Sequence, residues 1–136
     1  MQGHILVIDH QAYWRQFSTD ALSAAGYSVE TLDTYTYLPP REKTSAEKKM
    51  PDLVVLGCAR VGPEEQELIA LALTNRYHLL VLCSFLPWQE MRALFLQGVD
   101  DVVDKPYTSK YLVRIVKDAM EHVERGCFYN KNRGEA

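Results

Sequence analysis

The chain has 136 residues, with 15 Lys and Arg against 18 Asp and Glu and a formal net charge of −3. This length predicts one domain, and the 47% hydrophobic and 24% charged residues are typical of a folded globular protein and exclude a disordered one. A sequence pI near 5.8 argues against general nucleic-acid binding, and no apolar run is long enough to span a membrane.

The first β-α unit is the clearest in the sequence. Residues 5–8 are continuously apolar and rich in β-branched side chains, which predicts a strand buried on both faces and ended by Asp9. Helical spacing then places one stripe of side chains on a single face: Trp14, Phe17, Ser18, Ala21, Leu22 and Ala25. Gly26 follows this stripe and is expected to end the helix in a left-handed conformation.

The rest of the readable chain repeats this alternation. We predict strands at 27–32, 53–56, 79–83 and 102–103, and helices at 41–49, from Pro63, at 88–97 and at 109–125. Residues 126–136 have no periodicity, so we expect a domain at 1–125 followed by a flexible tail or linker stub. Continuous apolar strands alternating with helices specify an open parallel sheet covered on both faces.

The N-terminus and the cysteines both indicate a cytoplasmic protein. The chain lacks a basic start followed by an apolar stretch, so we expect no signal peptide. The three cysteines, Cys58, Cys83 and Cys127, are widely spaced and odd in number, which favours reduced thiols. Cys58 and Cys83 are expected to end adjacent strands, where buried core residues are favoured over a redox or metal site.

Functional side chains in an open parallel sheet collect beyond the carboxyl ends of the strands. The residues predicted at those ends are Asp9 and His10, Gly57 and Cys58, Ser84, and Lys105. An acid, a hydroxyl and an ammonium group are therefore expected to converge on one rim.

Four segments at these strand ends, taken in order, resemble a response-regulator receiver domain of the CheY-like family. They are residues 5–10, 51–57, 82–84 and 100–106, and the resemblance spans about residues 4–124. It implies a flavodoxin-like α/β fold with a five-stranded parallel sheet in the order 2-1-3-4-5 and helices on both faces. It also implies a role in two-component signal transduction or transcription regulation.

Receiver domains transfer a phosphoryl group to a strand-end aspartate, assisted by a divalent cation that carboxylates hold. The resemblance assigns Asp9 to the first acid of the family's acidic pair. It assigns Ser84 to the hydroxyl residue and Lys105 to the lysine that grips the phosphoryl group. It also implies a cis peptide bond before Pro106.

Three positions depart from the family pattern, and these departures say more about function than the matching positions do. His10 stands where the second acid is expected, Gly57 where the phosphoaccepting aspartate is expected, and Val102 where an aromatic switch residue is common. Glycine has no side chain to phosphorylate, and imidazole is a poor magnesium ligand. We therefore expect a pseudo-receiver with no metal, no cofactor and no enzymatic activity.

The remaining polar residues of the rim are given structural roles. Asp9 is expected to pair with Lys105, and an ion pair at the rim is worth little. His10 is read as a solvent-facing loop residue in preference to an alternative phosphorylation site. The acids that flank the fifth strand are read as structural: Asp100, Asp101 and Asp104.

The helix that begins at Trp88 carries more apolar surface than one buried stripe requires. Exposed aromatic and Arg side chains that lie together favour a protein interface. The residues predicted to contact a partner are Trp88, Met91, Arg92, Phe95, Val102, Tyr111 and Arg114. In receiver-like proteins the fourth helix, fifth strand and fifth helix form the signalling and dimer face, so the resemblance implies a regulatory protein partner or a homodimer there. We expect no direct nucleic-acid binding and no membrane contact.

Two other functions remain open at this point. The emptied rim near Ser84 and Lys105 is suited to a module that senses a small molecule or an anion. A flavin-binding flavodoxin-like protein is the second, although the loop at residues 9–14 lacks the Ser-, Thr- and Gly-rich composition that cradles a phosphate.

Overall fold

The computed structural model describes residues 3–35, 38 and 50–125, with the backbone alone at residues 124 and 125. The elements are β1 (His4–Asp9), α1 (Ala12–Ala24), β2 (Ser28–Leu32), β3 (Leu53–Cys58), α2 (Pro63–Thr74), β4 (Leu79–Cys83), α3 (Trp88–Gln97), β5 (Asp101–Asp104) and α4 (Ser109–Arg125). The predicted helix at 41–49 and the predicted tail at 126–136 lie outside the described residues. Helices α3 and α4 are therefore the fourth and fifth helices of the sequence prediction.

The five strands form one parallel sheet in the order β2-β1-β3-β4-β5, as predicted. The strand order reverses at β1, which pairs with β2 on one side and with β3 on the other. Every residue of β1, β3 and β4 is buried, because helices cover both faces of the sheet. The parallel register places Asp9 opposite Gly57 and Cys58 opposite Cys83 at the carboxyl edge.

Two hydrophobic cores lie on opposite faces of the sheet, as the two-residue period of a strand requires. Ile5 and Val7 belong to the first core, which the stripe of α1 and the inner face of α4 cover. Leu6 and Ile8 belong to the second core, together with residues from α2 and α3. The first helix is predicted correctly, down to the buried Ser18 in its stripe.

The glycines predicted to end helices do so. Gly26 and Gly98 have φ angles of 102° and 117°, a region that L side chains rarely adopt. On α2, Ile69 is fully buried, whereas Leu71 is only partly buried. Neighbouring leucine and isoleucine residues look equivalent in a sequence, and only the packing of α2 decides which of them faces the sheet. Among the described residues no helix is both long and apolar enough to cross a membrane.

Candidate functional site at the carboxyl edge of the sheet

Asp9, the last residue of β1, accepts a hydrogen bond at each of its two carboxylate oxygens. Its Oδ1 accepts a hydrogen bond from the backbone N–H of Gln11 at 2.9 Å, and its Oδ2 accepts one from Lys105 Nζ at 3.0 Å. Arg15 Nη1 donates to the backbone oxygen of Asp9 at 2.8 Å. The start of α1 and the residue after β5 therefore hold the end of β1 from both sides.

Lys105 forms the predicted pair with Asp9, and the pair is buried. Both side chains are only 1% exposed. Lys105 Nζ also donates to Gln11 Oε1 at 2.5 Å and lies 5.8 Å from the centre of the Trp14 ring. The peptide bond between Lys105 and Pro106 is cis, as the resemblance implies. The argument that water screens a pair at the rim does not apply to this pair, because Gln11 and Trp14 lie against the buried ammonium group.

Gly57 lies opposite Asp9 in the register of β1 and β3. A Cβ atom added at residue 57 would overlap the Asp9 carboxylate, with Oδ2 inside the van der Waals distance and Cγ only 2.5 Å away. The space in which any side chain at residue 57 would begin is thus filled by Asp9. This position offers neither a reactive oxygen nor room for one.

His10 is exposed, as predicted, but it is held in place. Its Nδ1 lies 2.7 Å from the backbone oxygen of Asp33, and its ring centre lies 4.2 Å from that of Tyr35. The Tyr35 hydroxyl donates to Glu65 Oε2 at 2.8 Å, and Glu65 Oε1 accepts from the backbone N–H of Gly62 at 2.9 Å. Burial, with the hydrogen bond to Glu65, raises the pKa of Tyr35 well above its usual range. The three side chains connect the ends of β1 and β2 to the start of α2.

Sequence reasoning missed three residues of this edge. Gln11 and Glu65 had readable signals, since Gln11 is two residues beyond a strand end and Glu65 has the capping-box spacing from Gly62. Tyr35 had no readable signal in the sequence, because it follows β2 in a segment without periodicity.

Ser84 follows β4 at the same edge, as predicted, and its side chain is exposed. Its backbone N–H donates to the Cys58 oxygen at 3.2 Å. Within the part of the chain that the structure describes, its hydroxyl makes no hydrogen bond to Asp9 or Lys105. In that same part, no group of three His, Cys, Asp or Glu side chains is placed to hold a metal ion.

Solved receiver domains share this architecture. A response regulator from Thermotoga maritima is 20% identical with a TM-score of 0.72, and the match covers 89% of this chain and 99% of that one. A CheY-like response regulator receiver domain protein from Methanospirillum hungatei JF-1 is 18% identical, with a TM-score of 0.74 and coverage of 93% and 100%. A receiver domain protein from Clostridium thermocellum is 17% identical, with a TM-score of 0.71 and coverage of 92% and 99%.

The chain has the receiver-domain fold. The flavodoxin-like topology expected from the resemblance is confirmed, and at these identities the likeness establishes the fold alone. No protein-family model matches the sequence, and no curated protein does.

The predicted partner residues lie on α3, β5 and α4 of this receiver fold. Trp88 and Tyr111 are 67% and 42% exposed, and the Arg114 guanidinium lies 5.3 Å from the centre of the Tyr111 ring. Arg92 is also exposed. We refer to these four exposed residues together as the α3–α4 surface.

Three of the predicted partner residues are less exposed than expected, so less of each side chain can contact a partner. Met91, Phe95 and Val102 are only partly exposed, and the last two pack against the second core. Besides Trp88, α3 exposes the apolar Leu96, at 57% exposure. Leu94 takes the buried position, so Phe95 lies between core and surface and Leu96 points away, as the 100° step of a helix dictates.

Proposed function

We propose that this protein is a pseudo-receiver, a receiver-like signalling module that works without phosphorylation in two-component or transcriptional regulation. The observation that carries the proposal is the overlap between the Asp9 carboxylate and any side chain at Gly57. In receiver domains the equivalent strand end provides the aspartate that is phosphorylated. Here it provides bare backbone, and the neighbouring carboxylate fills the space.

The other residues of the edge support the same conclusion. Magnesium prefers several hard oxygen ligands in octahedral geometry, and this edge offers one carboxylate whose two oxygens already have partners. His10, at the position of the second acid, is turned towards Asp33 and Tyr35. A module built in this way has no phosphoryl-transfer chemistry of its own, so we assign it no enzymatic activity.

The alternative of an anion sensor at the rim has little support. An anion sensor of this kind requires an empty rim with an ammonium group that is free to bind the anion. Lys105 is instead buried beneath Trp14 and is hydrogen-bonded to both Asp9 and Gln11. An incoming anion would have to displace a carboxylate that is already in place.

The signal is proposed to pass through protein contact on the α3–α4 surface. A large exposed indole, two exposed arginines and an exposed tyrosine are residue types that dominate binding energy at interfaces. A regulatory protein or a second copy of this chain would dock there. Docking of a second copy can be tested with the purified protein and no added partner.

Phosphorylation is tested by incubating the protein with acetyl phosphate and magnesium and measuring the intact mass. The mass is expected to stay unchanged, while a receiver domain with its acceptor aspartate gains a phosphoryl group under the same conditions. A stoichiometric phosphoryl adduct on this chain would refute the proposal.

The contact surface is tested by light scattering over a range of protein concentrations. Trp88→Ser is expected to weaken self-association. Tyr13→Ser is the matched control, because Tyr13 is similarly exposed, at 68%, but lies on α1, and its loss should leave self-association unchanged. Equal effects of the two substitutions would contradict the surface, and a monomer at every concentration would exclude the homodimer.

A further inference from the structure

The side chains of Cys58 and Cys83 lie next to each other at the ends of β3 and β4. The two residues are register partners on adjacent parallel strands, and both side chains belong to the second core. Neighbouring strands are separated by about 4.8 Å, which lies within the range of Cα separations that a disulfide can bridge. With both side chains on the same face of the sheet, this spacing meets the requirement on Cα separation for a disulfide.

The two thiols already interact. The hydrogen bond with Cys83, reinforced by burial, raises the pKa of Cys58 above its usual range. The same hydrogen bond lowers the pKa of Cys83, although burial acts in the opposite direction. Cys83 is thus the better nucleophile of the pair, because the thiolate is the reactive form.

The pair is buried but lies directly beneath two surface loops. Cys58 is 3% exposed and Cys83 is fully buried. Cys83 Sγ lies 3.3 Å from the backbone oxygen of Phe85 and 3.5 Å from that of Ala59. Residues 59 and 60 are exposed, as are residues 84 and 85, so local opening of these loops gives a small oxidant access.

We propose that Cys58 and Cys83 form an oxidisable dithiol, which hydrogen peroxide converts into an intramolecular disulfide. The Cys83 thiolate attacks one peroxide oxygen, the O–O bond breaks, and the products are a Cys83 sulfenic acid and hydroxide. The Cys58 sulfur then attacks the Cys83 sulfur and displaces the hydroxyl group, which leaves as water with the Cys58 proton. In total two thiols and one peroxide give one disulfide and two waters.

The disulfide would alter the path into α3. The bridging Cys83 sulfur can no longer donate a hydrogen bond to Phe85 or Ala59, and the loop that contains Phe85 leads directly to Trp88. Oxidation is thus linked to the start of α3. The inference does not rest on the proposed function, since it uses neither Asp9 nor Gly57.

The test uses the full chain with Cys127→Ser, which removes the third cysteine. After peroxide treatment, the intact mass is expected to fall by the mass of two hydrogen atoms, and a non-reducing peptide map should join the peptides that contain residues 58 and 83. Dithiothreitol should restore both the mass and two alkylatable thiols. Circular dichroism recorded before and after treatment shows whether the product forms in the folded protein.

The matched controls replace one partner at a time. Cys58→Ala leaves Cys83 without a partner, so dimedone is expected to trap a sulfenic acid there. Cys83→Ala should react more slowly, because Cys58 is the more basic thiol. Two alkylatable thiols after a peroxide dose that oxidises Cys127 in the unsubstituted chain would overturn the proposal. So would oxygen addition without a disulfide, or a disulfide that forms only after the protein has unfolded.

Discussion

The carboxylate of Asp9 occupies the space next to Gly57 in which a side chain would begin. The two residues face each other across β1 and β3, so a larger residue at either position changes the packing of the other. Lys105 and Gln11 hold the carboxylate in this place. The Asp9 side chain can therefore lie where it does only because residue 57 has no side chain.

Gly57→Ala tests this feature directly. The new methyl group would overlap the carboxylate, and overpacking of this kind costs about 1–3 kcal/mol of the free energy of unfolding. Urea denaturation measures the loss. In an Asp9→Ala background the same substitution should cost much less, because the overlapping carboxyl atoms are gone. An equal cost in both backgrounds would contradict the described contact.

Lys105→Met should be strongly destabilising, because it leaves the Asp9 carboxylate buried without its partner. Loss of one partner of a buried ion pair costs about 3–5 kcal/mol. The double variant Asp9→Asn/Lys105→Met removes both charges and should recover most of the loss. Lys110→Met, at an exposed position of α4, is the control and should change stability by less than about 0.5 kcal/mol. A small effect of Lys105→Met would show that the pair is exposed to water.

Tyr107 should make the protein sensitive to alkaline pH. Burial raises the pKa of its hydroxyl to about 12 from 10.0, with a smaller contribution from the charge of Asp9 and an opposing one from the hydrogen bond to Ser18. The folded state thus holds the proton more tightly than the unfolded state. The resulting stability is complete below pH 10 and is lost as the pH rises through 12.

Comparison with Tyr107→Phe isolates this dependence. The variant should lose about 1 kcal/mol at neutral pH, because the buried Ser18 hydroxyl loses its partner. Its stability should fall less steeply above pH 10 than that of the unsubstituted protein, whereas Tyr13→Phe at an exposed position should not differ. If the stability of Tyr107→Phe and of the unsubstituted protein fell in parallel above pH 10, the raised pKa of Tyr107 would be contradicted.

Asp101→Asn should stabilise the protein at neutral pH. Burial raises the pKa of Asp101 above 3.8, against the opposing effect of the hydrogen bond from the Val102 N–H, and the charges of Asp118 and Asp100 also raise it. Above both the folded and unfolded pKa values, the charged group destabilises the folded state, and asparagine removes that cost. The gain should disappear as the pH falls below 3.8. Asp104→Asn, at an exposed position of the same strand, should give no comparable gain.

The sequence patterns alone determined the strands and the residues at the carboxyl edge, while the sheet order came from the resemblance to receiver domains. Continuous apolar runs predict buried parallel strands, helical stripes predict the covering helices, and glycines mark where those helices end. All of these are local signals, carried by residues a few positions apart. The glycine at position 57, and with it the argument against an acceptor there, is likewise visible without coordinates.

Only the tertiary structure decided how the edge is filled. Asp9 and Lys105 are 96 residues apart, and their burial depends on how Gln11 and Trp14 at the start of α1 lie over them. Packing likewise decided that Leu96 is exposed on α3 while Leu94 is buried. The contact between the Cys58 and Cys83 thiols depends on strand register. Such contacts form when segments that are far apart in the sequence pack together and exclude water, so no local sequence pattern predicts them.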